Sequence, residues 1–324
     1  MKCQGCLKTS EKEFCPKCRK RLFDGRKVSG HLLFDSPYDG DSTFYTDHTQ
    51  KISISGVQVK YSLKLEGNEL QLTESGGQYI LKPIPTGTFK NLGAAPANEH
   101  LTMQIAEQVY KFTSPATAIV FFKDGSHAYL VRRFDQRPEG GKYQQEDFAQ
   151  IAQMTSESHG KNYKYDLSYQ EIADLIRKYI PTHLIELEKF FRLVLFNYIF
   201  SNGDAHLKNF SAIQTTQGDH ILTPIYDLLC TRIHAPTESD MALSLFKDDF
   251  TDAYMAYGFY TYQDFLTFGR QIGIKESRVE KIIQKFKINH ELTGSIIEYS
   301  YLSEELKSDY MGIYLDKLIR LEMI

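Results

Sequence analysis

FSNGDAHLKNFSAI (residues 200–213) follows an apolar stretch and decides how the rest of the chain is interpreted. An Asn-Gly or Gly-Asp pair is sufficient to make a turn. A turn does not explain why His206, Lys208 and Asn209 follow Asp204 within five residues. Taken singly, Asp204 and Asn209 are also typical turn and helix-cap residues. Their meaning therefore depends on the sequence around them.

The surrounding sequence predicts a mostly helical half that begins near residue 145. Residues 170–200 predict two helices separated by Pro181. The segment NFSAIQTTQGDHILTPIYDLL (209–229) predicts a strand, a Gly-containing turn, a second strand and then Asp227. Asp204 and Asn209 thus precede a hairpin, and Asp227 follows it.

The preceding half predicts strands interrupted by Gly and Pro, with one helix. QYILKP (78–83) is a strand that ends at Lys82, and ANEHLTMQIAEQVY (97–110) is a helix capped by Asn98, with Glu99 at its start. TAIVFFKDGSHAYLVRRFD (117–135) predicts a hairpin around Asp124-Gly125. The predicted fold class is α+β, with a β-rich half followed by an α-helical half.

This order of parts suits phosphoryl transfer, which needs a carboxylate near the nucleophile, oxygen ligands for Mg²⁺ and a cation for the phosphates. Asp204 and Asn209 have the D-x4-N spacing of a protein-kinase catalytic loop. Asp227 occupies the place of the second metal-binding residue, and Lys82 with Glu99 can form the pair that aims a Lys at phosphates. Each also has an ordinary interpretation, such as a solvated strand end for Lys82 or a favourable helix charge for Glu99. His206 as a packing residue and Lys208 as a surface charge stay open in the same way.

Four of the five cysteines lie in CQGCLKTSEKEFCPKC (3–18), as two Cys-x-x-Cys knuckles. Two such knuckles can surround one tetrahedral cation, and zinc is the usual ion for four thiolates. The predicted Zn²⁺ ligands are Cys3, Cys6, Cys15 and Cys18. Two disulfides are the alternative, which a reducing compartment disfavours. A four-Cys site is closed and therefore structural, although binding of nucleic acid or a partner remains open.

Charge and hydropathy set broad limits on function. The 324 residues carry a net charge of -3, yet residues 1–27 contain nine Lys and Arg against three Asp and Glu. A basic end on an acidic body is a weak indication of a nucleic acid or an acidic partner. The sequence shows no signal peptide and no transmembrane segment. We expect a cytoplasmic protein that does not bind membranes.

Four motifs in series resemble the HipA-type serine kinases, the toxins of HipBA and HipBST toxin–antitoxin modules. They are SGVQVKYSL, LVRRFD, YQQEDFAQ and NGDAHLKNF…LTPIYDLL, and they span roughly residues 50–290. The resemblance implies a two-lobed protein-kinase-like fold, ATP and Mg²⁺ as cofactors, and phosphorylation of protein serine or threonine. The compact length resembles the short HipT-like branch. The implied domains are a zinc ribbon (1–22), a short linker subdomain (23–50), an N-lobe (51–144) and a C-lobe (145–324).

The resemblance also implies roles for the residues of the opening stretch. Asp204 would be the catalytic base, and His206 and Lys208 would act beside it near the phosphates. Asn209 and Asp227 would hold Mg²⁺.

Other residues would bind ATP. Lys82, paired with Glu99, would contact its phosphates, and the strand Arg132 to Phe134 would be the hinge for adenine. The family's usual acidic hinge residue is replaced by Arg132. The residues implied for the phosphate-covering loop and its flank are Ser55, Gly56, Val57, Gln58 and Lys60.

Regulation and partners also follow from the resemblance. Ser53 and Ser55 are implied autophosphorylation sites, where added negative charge beside the ATP phosphates would eject the loop. The implied partners are a helix-turn-helix DNA-binding antitoxin (HipB-like), a small HipS-like protein, and a protein substrate for which the family suggests an aminoacyl-tRNA synthetase. DNA would be contacted only through the antitoxin. The four-Cys segment is not a HipA feature, which leaves antitoxin docking open. A small-molecule or lipid kinase and a nucleotide-binding pseudokinase scaffold are the alternative functions.

Overall fold

A computed structural model describes residues 1–37, 59–248 and 250–323, which form two compact units. The first unit comprises Met1–Phe134, Ile233–Ala235 and Gly294–Lys307. The second comprises Asp135–Arg232, Pro236–Thr293 and Ser308–Ile324. The α+β class is confirmed, since a sheet dominates the first unit and helices dominate the second. None of the helices in the described ranges has both the length and the apolar character needed to cross a bilayer.

The first unit is built on a five-stranded antiparallel sheet. Its strands are β1 (Tyr61–Glu66), β2 (Glu69–Leu72), β3 (Tyr79–Lys82), β4 (Thr117–Phe121) and β5 (His127–Arg132), in the order β2-β1-β3-β5-β4. The predicted hairpin is confirmed, because β4 and β5 pair across the Asp124-Gly125 turn. The register sets Lys82 opposite Tyr129.

Helix α1 (Pro16–Phe23) and helix α2 (Ala95–Gln108) belong to the same unit. Helix α2 packs on β4 and β5. The prediction that it starts after Asn98 was wrong by one turn. Pro96 occupies the first turn of α2, where the missing N–H of proline costs no intrahelical hydrogen bond. Glu99 therefore lies inside the helix rather than at its tip.

The N-terminal segment shares the core of the first unit. Cys3, Cys18 and Phe23 are buried in one cluster with strand residues such as Leu63. The Tyr79 hydroxyl donates to the Leu22 carbonyl oxygen over 2.7 Å. The domain boundaries expected at residues 22, 50 and 144 stay predictions.

The second unit contains helices and a small antiparallel sheet. Its helices include α3 (Phe148–Ile151), α4 (Ser156–His159), α5 (Tyr169–Tyr179), α6 (His183–Ile199), α7 (Asp252–Tyr257), α8 (Tyr262–Gln271) and α9 (Glu276–Ile288). Its strands are β6 (Gln145–Asp147), β7 (Ser211–Gln214) and β8 (His220–Leu222), in that order. Two further helices, α10 (His290–Glu298) and α11 (Glu304–Arg320), each have residues assigned to both units.

Two predictions for this unit are confirmed. Helices α5 and α6 flank Pro181, and β7 pairs with β8 as the predicted hairpin. Strand β6 was not predicted, because three residues are too few to show an alternating pattern.

Candidate active site

The loop that carries the D-x4-N motif starts where α6 ends. The Asn202 backbone N–H donates to the Asn197 carbonyl over 2.8 Å, and the side-chain amide of Asn202 donates to Asn197 Oδ1 over 3.1 Å. The buried Tyr169 hydroxyl donates to the Ala205 carbonyl over 2.8 Å. These contacts hold the backbone on both sides of Asp204, so its position is set by buried groups.

Asp204 presents a partly exposed carboxylate, with 32% of its side chain accessible. Its Oδ1 accepts a hydrogen bond from the Tyr165 hydroxyl over 2.6 Å. The same oxygen lies 3.8 Å from Nε2 of His206. The carboxylate is thus oriented by the protein on one side and accessible to a substrate hydroxyl on the other.

His206 is buried and neutral. Burial is the largest cause that lowers its pKa to about 4, against the opposing effect of the Asp204 carboxylate. Its Nε2 accepts a hydrogen bond from Lys164 Nζ over 2.9 Å, as an uncharged imidazole can. Burial also lowers the pKa of Lys164, while Asp204 raises it. The Asp204 carboxylate therefore opposes the effect of burial, which disfavours the charged form of Lys164.

Asn209 and Asp227 supply oxygen atoms near His206. Oδ1 of Asn209 accepts from the His206 backbone N–H over 3.2 Å, which leaves a second lone pair on that oxygen. Asp227 has a left-handed backbone conformation with φ of 58°, and its charge is among the causes that raise the pKa of His206. An amide oxygen and a carboxylate are ligands that suit Mg²⁺. The donor set therefore fits the predicted ion.

Lys208 is exposed, and its charge acts on Asp147 and Lys164. Its backbone carbonyl accepts a hydrogen bond from the Tyr226 hydroxyl over 2.9 Å. No described contact joins its ammonium to Asp204. The expected catalytic role of Lys208 stays a prediction.

In the first unit, Lys82 and Glu99 form a buried ion pair. Lys82 Nζ lies 2.6 Å from Glu99 Oε1, and the two side chains are only 4% and 3% exposed. The Lys82 ammonium also lies 5.6 Å from the centroid of the Tyr129 ring. Burial of two charges costs free energy unless the charges are closely paired. The short distance between Lys82 Nζ and Glu99 Oε1 meets that condition.

The other expected ATP-binding residues have mixed outcomes. The Arg132 guanidinium makes a two-bond contact with Asp24, at 2.8 and 2.9 Å. The side chain of Arg132 therefore binds the residue that follows α1. A hinge contact with adenine would use the backbone of Arg132. Lys60 directly precedes β1. Phe134 is the residue at which Met1–Phe134, the longest segment of the first unit, ends. The loop residues Ser53, Ser55, Gly56, Val57 and Gln58 lie outside the described residues.

The four N-terminal cysteines converge as predicted. The Sγ atoms of Cys3, Cys6, Cys15 and Cys18 all lie within 4.8 Å of one another. The distance between Sγ of Cys6 and Sγ of Cys15 is 3.9 Å. Tetrahedral zinc with bonds of about 2.3 Å requires sulfur atoms about 3.8 Å apart. The cluster is therefore compatible with Zn²⁺.

The family model for the HipA-like C-terminal domain matches residues 52–292. The chain belongs to this family. A putative kinase of Haemophilus influenzae is 28% identical over 292 residues, which cover 85% of this chain and 83% of that protein. The serine/threonine-protein kinase toxin HipA of Shewanella oneidensis is 24% identical over 242 residues, covering 70% of this chain but 54% of that toxin.

Two solved structures share the fold of this HipA-like chain. One is HipA of Shewanella oneidensis in a complex with HipB and operator DNA, with a TM-score of 0.63 at 19% identity, covering 89% of this chain and 66% of that one. The other is the proinflammatory kinase CtkA of Helicobacter pylori, with a TM-score of 0.56 at 15% identity, covering 91% and 95%. These likenesses confirm the predicted kinase-like fold.

Sequence reasoning missed several site residues of the HipA-like domain. Lys164 and Tyr165 lie in a 3-10 helix (Tyr163–Tyr165), about 40 residues before their partners. Nothing in their local pattern distinguishes them from surface residues. The one feature that could indicate a site is Lys164 between two tyrosines, and such a pattern is only weakly indicative.

The sequence also contains no indication of a half-buried hydroxyl that anchors the loop, that of Thr231. The Thr231 hydroxyl accepts from the Gly203 N–H over 2.7 Å and contacts the Glu238 carboxyl. A Cβ on Gly203 would lie 2.8 Å from the backbone carbonyl oxygen of Ser239 and 2.7 Å from Glu238 Cδ, and the backbone clash favours glycine there. Burial raises the pKa of Glu238 to about 7, while Thr231 opposes the rise.

This raised pKa predicts a pH-dependent stability. Between pH 4.5 and 7 the unfolded chain releases the Glu238 proton and the folded chain retains it. The free energy of unfolding therefore falls as the pH rises from 4.5 through 7. Because Glu238 is only half-buried, we expect the wild type to lose about 1–2 kcal/mol relative to Glu238→Gln between pH 5 and pH 8. Urea denaturation at both pH values measures this. Glu280→Gln, at an exposed position of α9, is the control, and equal pH dependence in both variants would contradict the prediction.

Proposed function

We propose that the chain is an ATP- and Mg²⁺-dependent serine/threonine protein kinase that acts as the toxin of a toxin–antitoxin module. The observation that carries the proposal is the Asp204 carboxylate, oriented by Tyr165 and accessible, five residues before Asn209. A kinase catalytic loop needs this combination of a proton acceptor and a metal-binding amide. The family membership and the relatives named as kinases support it.

In this proposal Asp204 accepts the proton of the substrate hydroxyl as the oxygen attacks the γ-phosphorus of ATP. The bond between the γ-phosphorus and the β,γ-bridging oxygen breaks, and ADP leaves with that oxygen. Tyr165 is a positioning residue that fixes the carboxylate. The Lys164 ammonium, held against neutral His206, offers positive charge to the transferred phosphoryl group. Lys208 would assist from the exposed side of the loop.

The remaining residues would bind the cofactors. Asn209 and Asp227 would hold Mg²⁺, which neutralises phosphate charge when bound. Lys82, fixed by Glu99, would contact the ATP phosphates. The backbone from Arg132 to Phe134 would contact adenine. The remaining proposed ATP contacts are Ser55, Gly56, Val57, Gln58 and Lys60.

We also propose that Cys3, Cys6, Cys15 and Cys18 hold a structural Zn²⁺. The spacing of their Sγ atoms supports this. A closed four-thiolate site contributes folding free energy rather than catalysis.

The proposed partners rest on the relatives. The Shewanella HipA structure contains HipB and operator DNA, which supports a helix-turn-helix antitoxin and an indirect contact with DNA. The chain spans about half the length of several curated relatives that it matches, so a small HipS-like partner, an aminoacyl-tRNA synthetase substrate and a cytoplasmic location are proposals by family analogy alone.

Incubation of the purified protein with ATP and Mg²⁺, followed by mass spectrometry, tests the proposed function. Phosphoserine in the wild type but not in Asp204→Ala is the expected result, with Ser53 and Ser55 as the expected positions. Absence of phosphate on this chain and on an added antitoxin or synthetase, despite ATP binding, would contradict a protein kinase. Growth arrest on expression of the wild type, and not of Asp204→Ala, separates a toxin from a small-molecule kinase.

Removal of the Tyr165 hydroxyl provides a finer test. Tyr165→Phe eliminates the 2.6 Å hydrogen bond to the Asp204 carboxylate, and hydrogen bonds to charged groups contribute about 1.5–3 kcal/mol. We expect the phosphorylation rate to fall roughly tenfold or more at unchanged ATP affinity. Tyr163→Phe in the same 3-10 helix is the control. A rate equal to that of the wild type would show that Tyr165 does not position Asp204.

A further inference from the structure

Two hydrogen bonds join the four-cysteine cluster to helix α2, which carries Glu99. Nε2 of His100 donates to the Gly5 carbonyl over 3.1 Å, and Nε2 of Gln108 donates to the Cys6 carbonyl over 2.8 Å. The Gly5 carbonyl lies within the first Cys-x-x-Cys knuckle, and the Cys6 carbonyl belongs to the second cysteine of that knuckle. The knuckle therefore holds α2 near its middle and at its C-terminal end.

The backbone of the knuckle is positioned by the cysteine cluster itself. Gly5 packs so closely that an added Cβ would lie 2.8 Å from Cβ and 2.9 Å from Sγ of Cys18. The backbone N–H of Cys15 donates to Sγ of Cys3 over 3.2 Å. A change in the separation of the four sulfur atoms must therefore move the carbonyls that α2 contacts.

The contact continues from α2 to the buried ion pair. His100 is fully buried and directly follows Glu99 in the helix. Its ring lies 6.4 Å from the Tyr129 ring, centroid to centroid, and the same Tyr129 ring lies 5.6 Å from Lys82 Nζ. His100 thus contacts both the cysteine knuckle and the surroundings of the Lys82–Glu99 pair, entirely within the first unit.

We infer that metal binding at the four cysteines positions helix α2, and so determines whether Glu99 is held against Lys82 in the ATP-binding arrangement. His100 and Gln108 are the positioning residues of this coupling. The inference rests on the proposed kinase function, in which an intact Lys–Glu pair is required for activity. Without the metal the binding-competent position of α2 becomes a minor population, and the apparent ATP affinity is the intrinsic affinity multiplied by that population's fraction.

Metal removal from the full-length zinc-loaded protein tests this inference. Zinc is removed by a high-affinity chelator, the chelator is dialysed away, and ATP affinity is measured by calorimetry in excess Mg²⁺. We expect binding about tenfold weaker or more, restored by Zn²⁺ and not by additional Mg²⁺. Hydrogen exchange of the amides of residues 95–108 should accelerate in parallel.

A variant that retains all four cysteines covers the case in which metal removal unfolds the unit. Gln108→Ala should keep its zinc but bind ATP about threefold to tenfold more weakly, whereas Gln71→Ala, exposed in β2, should match the wild type. Equal ATP affinity of the wild type and Gln108→Ala would overturn the inference and leave the kinase proposal intact. If the zinc-loaded wild type binds no ATP, the kinase proposal fails. Hydrogen exchange of the α2 amides then tests whether metal binding positions α2. Exchange rates that are equal with and without zinc would overturn the inference.

Discussion

Replacement of Asp204 by Asn is expected to reduce phosphoryl transfer by about 10²–10⁴-fold, the usual contribution of a positioned general base. The amide keeps the shape of the side chain and can still accept the Tyr165 hydroxyl hydrogen bond. It cannot accept the proton of a substrate hydroxyl. The loop is held by backbone contacts from Tyr169 and Asn202, so folding and ATP binding should be preserved.

Steady-state phosphorylation and ATP calorimetry together measure this effect. The expected pattern is a large loss of rate with ATP affinity within about threefold of the wild type. Asp219→Asn, at an exposed position in the turn between β7 and β8, is the matched control and should retain full rate. If Asp204→Asn transfers phosphate as fast as the wild type, another group accepts the proton and the assignment of Asp204 fails.

Replacement of Lys82 by Met is expected to destabilise the first unit by about 3–5 kcal/mol, because it leaves the Glu99 carboxylate buried without its cation. The same change removes the cation proposed to contact the ATP phosphates. Stability and ATP binding should therefore both fall, and a single variant cannot separate the two effects.

The double variant Lys82→Met with Glu99→Leu separates them. Removing both charges relieves the burial cost, so the free energy of unfolding should return to near the wild-type value, while ATP binding should stay weak. Lys64→Met is the control, since Lys64 pairs with Glu66 at the surface and such pairs contribute at most about 1 kcal/mol. A fully stable Lys82→Met would mean that Glu99 is compensated by other contacts. A double variant that binds ATP normally would remove Lys82 from the ATP site.

The periodicity of the sequence determined two hairpins and the two helices that flank Pro181, and their order along the chain. The strand patterns around Asp124-Gly125 and Gln217-Gly218 become hairpins because short alternating segments joined by turn residues pair locally. Helices α5 and α6 separate at Pro181 because proline cannot continue a helix. The convergence of the four cysteines likewise follows from their spacing, since each Cys-x-x-Cys turn presents two thiols together.

Only the tertiary structure decided which side chains serve these motifs. Tyr165 orients Asp204, Lys164 contacts His206, and Gln108 contacts Cys6 across 39, 42 and 102 residues of sequence respectively. Such partners leave no periodic signal, because their contact depends on how separate elements pack and not on local backbone preference. Burial decides the protonation state of His206 for the same reason. The sequence therefore predicted the chemical groups of the site, and the packing of distant segments determined their orientation, charge and support.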